Sequence, residues 1–540
     1  MTRMSKPTQS SDLITTPIFV AASMALICSF LFHGSELFNF SINPDEENIL
    51  GRPPAEFYIL LGRWGQYLAS VFVLPEQMFP ITSLAICLSA FAASYILLVN
   101  KFHILSWQSV IVAAPFFFGF PVLLYNFAMN NNSFAIGLGI LSSTVALYAM
   151  RRRSLVTFLA ATVLIAFGIA VYQAVLWFCI LIFLADLLFL SRKEGLTRRL
   201  AAEIGWYASA LFGGITLYLI IGHLFLKWLG APVVYVTSFW HMKALMDSPV
   251  AILTRTISQI AEIYSGSSPI FMGQNLYYRL SMLALVGIIA WELIGFRIKG
   301  FRIKGFRIKG FIIAVLLAIL FVPFLQYPTA MGYMPFRTLV SVPAATAVVA
   351  LFATEVAPEW IRRWILLPLS LLLIVEFSAI NNRQYYAGQW GTERDKVLAS
   401  EIVLRIRELV PGQKTYSIAV VGGGPTYDDV VVPAVPTSGL GSSLFATLGG
   451  EPGRIAAFLQ FVTDARFVAT GRFVSDVNLS PGYQEERERV LVFAAKMPPW
   501  PVQGSIARMG DVFVIKLSEP TPLQIRMACL GRQSPFCSQR

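Results

Sequence analysis

Apolar stretches of about helix-spanning length follow one another from residue 13 to residue 380, and no other feature constrains the fold as strongly. A hydrocarbon layer about 30 Å thick is crossed by about 20 residues at 1.5 Å per residue, and one soluble core cannot absorb so many such stretches. The spans expected from this pattern are 13–31, 79–99, 105–125, 133–150, 154–169, 172–190, 200–226, 280–294, 311–326, 338–353 and 364–380. Residues 154–190 are too long for one crossing, so the stretch is broken at the polar pair Tyr172 and Gln173, which then lie at a membrane surface. With 56% apolar and 13% charged residues, the chain needs lipid as a solvent for much of its surface. Beyond Tyr385 the composition becomes that of an ordinary globular domain. The expected fold is therefore mainly α: a polytopic membrane helix bundle of about 11 transmembrane helices over residues 1–385, then a soluble C-terminal α/β domain over 386–540.

The formal charge of +12 does not point to nucleic acid. From Tyr386 onward there are 16 Lys and Arg against 14 Asp and Glu, so most of the excess belongs to the membrane part. It sits in short alternating loops, with Arg3, Lys6, Lys101, Arg151, Arg152, Arg153, Arg192, Lys193, Arg198, Arg199, Arg362 and Arg363 all on one side. Such loops are topology signals and do not form a continuous phosphate-tracking stripe. They place the N-terminus in the cytoplasm, and an odd number of spans then places the C-terminal domain outside. The first apolar segment has no small-residue cleavage site and reads as a retained helix.

Residues 296–310 repeat Phe-Arg-Ile-Lys-Gly three times. The period is too short for a solenoid, and the segment reads as a duplicated cytoplasmic loop, with anionic lipid headgroups as the alternative ligand. In the tail, 393–409 and 455–462 are helix-like, 416–421 is strand-like, and 503–517 reads as a hairpin turning near Gly510 and Asp511. Gly422, Gly423 and Gly424 lack the Gly-Lys-Ser/Thr ending of a phosphate loop and read as a turn. Cys28, Cys87 and Cys179 lie in apolar spans as small hydrophobes, while Cys529 and Cys537 are spaced for a disulfide or for two free thiols.

The chemistry gathers on the outside. The first outside loop carries Asn43-Pro44-Asp45-Glu46-Glu47-Asn48, then Arg52, then the amphiphilic stretch 57–74 with Gly62-Arg63-Trp64-Gly65. A carboxylate there suits a general base acting on a hydroxyl; a solvated acidic loop with an interfacial helix is the alternative. Tyr125, Asn126, Asn130 to Asn132, Tyr172, Gln173, Tyr235, Trp240, His241, Lys243, Tyr277, Tyr278, Arg279, Tyr327, Tyr333 and Arg337 share that side. Interfacial anchoring covers the isolated aromatics. It does not explain why Arg52, Arg63, Lys243, Arg279 and Arg337 occupy the side that should be poor in cations, and phosphate is their natural partner. Carboxylates, cations and aromatic platforms at an outer leaflet suit transfer of a sugar from a lipid phosphate to an acceptor hydroxyl.

An acidic Asp-Glu pair in the first outside loop of a many-span chain resembles the polytopic lipid-phosphate-sugar-dependent glycosyltransferases called GT-C. More narrowly, Asn43-Pro44-Asp45-Glu46, Gly62-Arg63-Trp64, Tyr125-Asn126 ahead of an Asn run, the Tyr172-Gln173 break and the ending 504–518 are similar to the bacterial type II O-antigen glucosyltransferase family. The triple pentapeptide departs from that family's pattern, in a loop away from the chemistry. The resemblance implies a bacterial inner-membrane enzyme that takes glucose from polyprenyl phosphate in the periplasm and adds it to O-antigen or a similar glycan, with inversion at the anomeric carbon. Asp45 is then the base, with Glu46 as its neighbour or substitute. Arg52, Arg63, Trp64, Tyr125, Asn126, Tyr172, Gln173, Tyr235, Lys243, Arg279 and Arg337 are the candidate substrate-binding residues.

Other lipid-linked glycan enzymes, such as a polymerase or a ligase, use the same parts and differ in the donor. A transporter or flippase would carry ionisable groups at mid-membrane, for which Asp186 and Glu376 are the few candidates, and repeated halves, which the chain lacks. A non-catalytic polysaccharide-binding scaffold is a further rival. The histidines at 33, 103, 223 and 241 do not have zinc-site spacing, so no resident metal or cofactor is expected; a divalent ion on Asp45 and Glu46 stays open.

Overall fold

The computed structural model describes residues 12–39, 41–42, 55–73, 80–230, 242–294, 306–330, 334–424, 443–445, 452–469, 481–529 and 537. The chain divides into two compact units, one made of Met1–Phe38 with Pro54–Asn382 and the other of Asn39–Pro53 with Arg383–Arg540.

The first unit is the membrane bundle. Among the described residues, nine helices are long and apolar enough to cross a bilayer: Thr16–Phe38, Ile81–Lys101, Trp107–Phe127, Asn132–Arg152, Val175–Glu194, Arg198–Leu229, Leu276–Ile294, Ile308–Ala330 and Glu359–Leu409. Two shorter apolar helices, Leu155–Val171 and Val342–Val356, occupy the remaining expected spans. Polar residues at the ends set the boundaries. Ser154 and Thr157 form a reciprocal capping box that starts Leu155–Val171, and the side chains of Ser106 and Thr197 cap the next turns at Ser109 and Leu200. The break expected at Tyr172 is present: Val171 ends one helix, Tyr172 is extended, and the next helix begins at Val175.

Small residues let the helices approach closely, as is usual where lipid supplies no hydrophobic drive between helices. A Cβ on Gly137 would fall 2.6 Å from the Cα of Cys87, so the helices carrying these residues touch backbone to backbone. The two candidate mid-membrane charges have structural partners. Asp186 lies 3.2 Å from the Lys101 ammonium and accepts the Tyr207 hydroxyl proton. Glu376 takes the backbone amides of Tyr277 and Tyr278 at 2.8 and 2.9 Å, capping the helix Leu276–Ile294.

The second unit is α/β. Its sheet has the order β2-β1-β4-β3, with β1 (Thr415–Val421) parallel to both β2 (Arg466–Ala469) and β4 (Val512–Lys516), and β3 (Ile506–Met509) antiparallel to β4. Alternate β1 residues face opposite cores. Tyr416, Ile418 and Val420 pack with Leu398, Ile402 and Ile406, while Ala419 and Val421 pack with Val490, Leu491 and Ala494. The hairpin turns at Gly510, whose φ of 61° suits glycine. Cys529 and Cys537 form a disulfide.

Three details differ from, or sharpen, the sequence reading. The last span and the tail helix are one continuous helix, Leu367–Leu409, because the polar residues joining them include no proline to end it. The third pentapeptide, expected as loop, opens the helix Phe306–Phe321; residues 296–305 lie outside the described residues. The amides of Gly422, Gly423 and Gly424 are taken by Gln524 Oε1, Ser518 Oγ and the Phe445 carbonyl at 2.9, 3.0 and 2.8 Å, so this turn holds no open nest for phosphate.

Candidate functional site

Within the membrane unit, one polar seam links segments far apart in sequence. It begins where the amphiphilic stretch breaks into two helices, Phe57–Leu60 and Trp64–Phe72, at Gly62, whose φ of 72° few side chains tolerate. Gly65 follows in close contact: a Cβ there would lie 2.9 Å from the backbone of Ala170 and Val171. This contact seats Arg63 against the Tyr172 break.

The half-buried Arg63 donates from Nε to Gln173 Oε1 at 3.4 Å, and its guanidinium lies over the Tyr172 ring, 4.8 Å from the centroid. Its two terminal amino groups have no hydrogen-bond partner among the described residues, so the planar fork is held by its stem and face with its tip open. Gln173 is itself fixed, donating to the Leu61 carbonyl at 2.8 Å. Tyr218 donates its hydroxyl to the Gly62 carbonyl at 3.0 Å and accepts the Trp64 indole proton on its own carbonyl at 3.2 Å. The Trp64 ring is stacked on Phe225 and buried.

Tyr172 carries the seam onward, donating its hydroxyl to the Arg337 carbonyl at 3.3 Å. The Arg337 guanidinium reaches Met129 Sδ at 4.0 Å, as does the Asn132 amide, and Asn132 accepts from Gln66 at 2.6 Å. The Tyr125 ring packs 5.3 Å from Phe336, beside Arg337. Asn126 is buried, with its side-chain amide nitrogen lacking a hydrogen-bond partner among the described residues. Trp177 donates to Gln326 at 3.1 Å, and Gln326 to the Thr338 carbonyl at 3.2 Å.

The opposite ends of the same helices form a second, structural network. Trp177 is at the seam end of its helix, and Arg192 at the other end donates to the Glu355 carbonyl at 2.9 Å. Fifteen residues separate them, about 22 Å of helix. Gln108 donates to Glu359 at 3.0 Å, Ser109 to Glu355 at 2.8 Å, and Arg153 to Glu203 at 2.7 Å. At this end His103 has its pKa lowered, first by burial and then by Lys193, Arg151 and Lys101, as expected where cations crowd. A cavity of about 630 Å³ also opens here, lined by Arg192, Trp291, Glu292, Glu355, Glu359 and Arg362. Arg362 pairs with Glu359 at 2.7 Å and Arg192 approaches Glu355 at 3.9 Å, so its charges are matched internally and do not await an anion.

The structure thus brings together Arg63, Trp64, Tyr172, Gln173 and Arg337 with Tyr125 and Asn126 near them. It places Arg279 elsewhere: that exposed side chain donates to the Ser265 carbonyl at 2.8 Å, because it belongs to the first turn after the Gly266 corner. Asp45, Glu46, Arg52 and Tyr235 lie outside the described residues, as does the side chain of Lys243, whose backbone is in the helix Met242–Asp247. Among the described residues no group of three His, Cys, Asp or Glu is placed to hold a metal ion. The sequence reading missed Gln66, Met129, Trp177, Tyr218 and Gln326. Gln66 carried a usable signal, as the one amide side chain in the helix Trp64–Phe72.

Neither a curated protein nor a solved structure matches the chain. The family of glucosyl transferase GtrII does match, over residues 34–354, a stretch that contains the whole seam. The resemblance to type II O-antigen glucosyltransferases is therefore borne out, and this chain belongs to the GtrII glucosyl transferase family.

Proposed function

We propose that this membrane glucosyltransferase moves glucose from polyprenyl phosphate glucose to O-antigen or a related glycan on the periplasmic side of the bacterial inner membrane. The observation that carries the reading is Arg63, a guanidinium held by Gln173 and Tyr172 with both terminal amino groups open among the described residues. A fork of this kind fits two oxygens of a phosphate, and it stands at the bundle end opposite the cation-rich loops. Positive-inside bias puts those loops in the cytoplasm and the seam on the other side.

In the proposed reaction Asp45, with Glu46 as neighbour or substitute, takes the proton from an acceptor hydroxyl. The hydroxyl oxygen attacks the anomeric carbon of glucose from the face opposite the phosphate. The carbon–oxygen bond to phosphate breaks, polyprenyl phosphate leaves with the bonding electron pair, and the configuration inverts. Arg63 and Arg337, with Arg52, stabilise the charge that grows on the departing phosphate. Trp64, Tyr125, Tyr172 and Gln173 hold the wall that fixes Arg63, and Asn126 offers an amide nitrogen to a sugar hydroxyl. Lys243 and Tyr235 remain candidates for substrate binding.

Membranes containing the protein, supplied with radiolabelled polyprenyl phosphate glucose and O-antigen, should move label into the glycan. Label moving only from a sugar nucleotide, or only from a lipid-linked donor of another sugar, would refute the donor assignment. The transport reading gains no support from Asp186 and Glu376, which are engaged by Lys101, Tyr207 and a helix N-terminus.

A further inference from the structure

Between the spans Arg198–Leu229 and Leu276–Ile294 the chain forms a helix that the pattern of crossings does not announce, Pro249–Ser265. Thr254, Arg255, Ser258, Gln259 and Glu262 make it too polar to cross a bilayer. Its side chains sort into three faces. Ile252, Thr256 and Ile263 are buried, and the helix packs on Leu276–Ile294 and on the turn Pro328–Ala330. Thr254, Arg255 and Ser258 are exposed on a polar face, where Ser258 donates to Glu262 at 3.1 Å. The third face is apolar and uncovered: Val250, Leu253 and Ile257, spaced i, i+3, i+7 along one stripe, are 77%, 50% and 53% exposed. Met246, just ahead of the helix, is 74% exposed.

The end of this helix is fastened to transmembrane segments. Tyr278 donates to the Ile263 carbonyl at 3.2 Å and Arg279 to the Ser265 carbonyl at 2.8 Å, so carbonyls that the last turn leaves without helical partners are taken. Tyr264 donates to the Leu320 carbonyl at 2.8 Å. Tyr278 is the third residue of its span, at the end away from the pentapeptide repeat, so the fastening is level with a membrane surface.

We propose that Pro249–Ser265 is an interfacial helix lying in the membrane plane, with Val250, Leu253 and Ile257 in the acyl-chain boundary and Thr254, Arg255 and Ser258 toward water. A stripe that runs lengthwise along a helix meets lipid along its whole length only in that orientation. The stripe also continues an apolar surface, since Leu280 and Leu283 on the adjoining span are 42% and 70% exposed. Charge identifies the kind of lipid. Asp247, Arg255 and Glu262 are one cation against two carboxylates, so attraction to anionic headgroups does not hold the helix, and burial of apolar surface in zwitterionic lipid does.

The test uses the full chain in phosphatidylcholine nanodiscs, with one nitroxide label at a time on Val250→Cys, Leu253→Cys, Ile257→Cys, Thr254→Cys or Ser258→Cys. Cys28, Cys87 and Cys179 are buried, and the unsubstituted parent sets the labelling background. All five positions are exposed, so the fold tolerates the changes, and thermal unfolding of each variant verifies this. Relaxation by oxygen, which concentrates in hydrocarbon, is compared with relaxation by a nickel chelate, which stays in water. Oxygen should dominate at positions 250, 253 and 257 and nickel at 254 and 258, and the balance should not shift when phosphatidylglycerol is added. Nickel dominance at 250, 253 and 257 would place the stripe in water and sink the proposal. Labels on the stripe that neither reagent reaches, or that broaden one another as paired copies would, overturn it in favour of a protein partner. Oxygen dominance that appears only with phosphatidylglycerol overturns the zwitterionic assignment.

Discussion

Replacing Arg63 separates a phosphate ligand from a structural strut. The guanidinium spends its Nε on Gln173 and its face on Tyr172, and its two terminal amino groups, without a partner among the described residues, are the proposed donor contacts. A hydrogen bond to a charged group contributes about 1.5–3 kcal/mol net. Lysine keeps the charge but offers a single point contact, so Arg63→Lys should forfeit about one such bond. That corresponds to a rise in donor half-saturation of about tenfold to 100-fold, since each 1.4 kcal/mol is about tenfold. Arg63→Ala loses both contacts and the charge, and should rise by at least about tenfold more. Gln173→Ala only unlocks the stem, whose bond is long at 3.4 Å, and about threefold is expected. The assay titrates radiolabelled polyprenyl phosphate glucose at saturating acceptor, with thermal unfolding of each purified variant alongside. Unchanged half-saturation in a folded Arg63→Ala, accompanied by a lower unfolding temperature, would show that Arg63 only braces the Tyr172 break.

A reporter fused after Arg540 should be active outside the cytoplasm and one inserted in the pentapeptide repeat of residues 296–310, ahead of the span Ile308–Ala330, inside; the reverse pattern would put the seam on the wrong face for a periplasmic donor. Gly65→Ala should lower stability by about 1–3 kcal/mol and reduce transfer, because its Cβ would meet the Ala170 and Val171 backbone at 2.9 Å; a stable, fully active variant would contradict the packing described. Asp186→Asn should destabilise the protein, as it leaves the Lys101 ammonium without its counter-ion, yet turnover per folded molecule should persist. Complete loss of turnover in a folded Asp186→Asn would return attention to a mid-membrane charge relay.

The spans were legible because bilayer thickness and helix rise leave little freedom, and the Tyr172-Gln173 break followed from the same arithmetic. The Gly510 hairpin was legible from alternation around a glycine turn. The partners within the seam were not legible. Gln66 meets Asn132 across 66 positions and Trp64 meets Tyr218 across 154, pairings that only helix packing creates. Arg279 illustrates the converse: the sequence reading puts it on one side with Arg63, yet a local bond to Ser265 claims it. The continuity of Leu367–Leu409 was hidden because the change from apolar to polar composition at residue 381 marks a change of surroundings and leaves the helix unbroken. The burial of Ile42 was likewise invisible, since Thr392, which takes its amide, lies 350 residues downstream.

The central claim is that Asp45 acts as the base for glucosyl transfer from polyprenyl phosphate glucose. The most direct measurement is the single-turnover rate of Asp45→Asn in purified full-length protein, with saturating donor and acceptor and with Glu46→Gln measured in parallel. The amide keeps nearly the same volume but cannot take the proton, so the rate should fall by about 100-fold to 10,000-fold while donor binding and unfolding temperature hold. An Asp45→Asn enzyme that turns over at the parental rate, with Glu46→Gln equally active, would contradict the account at its centre.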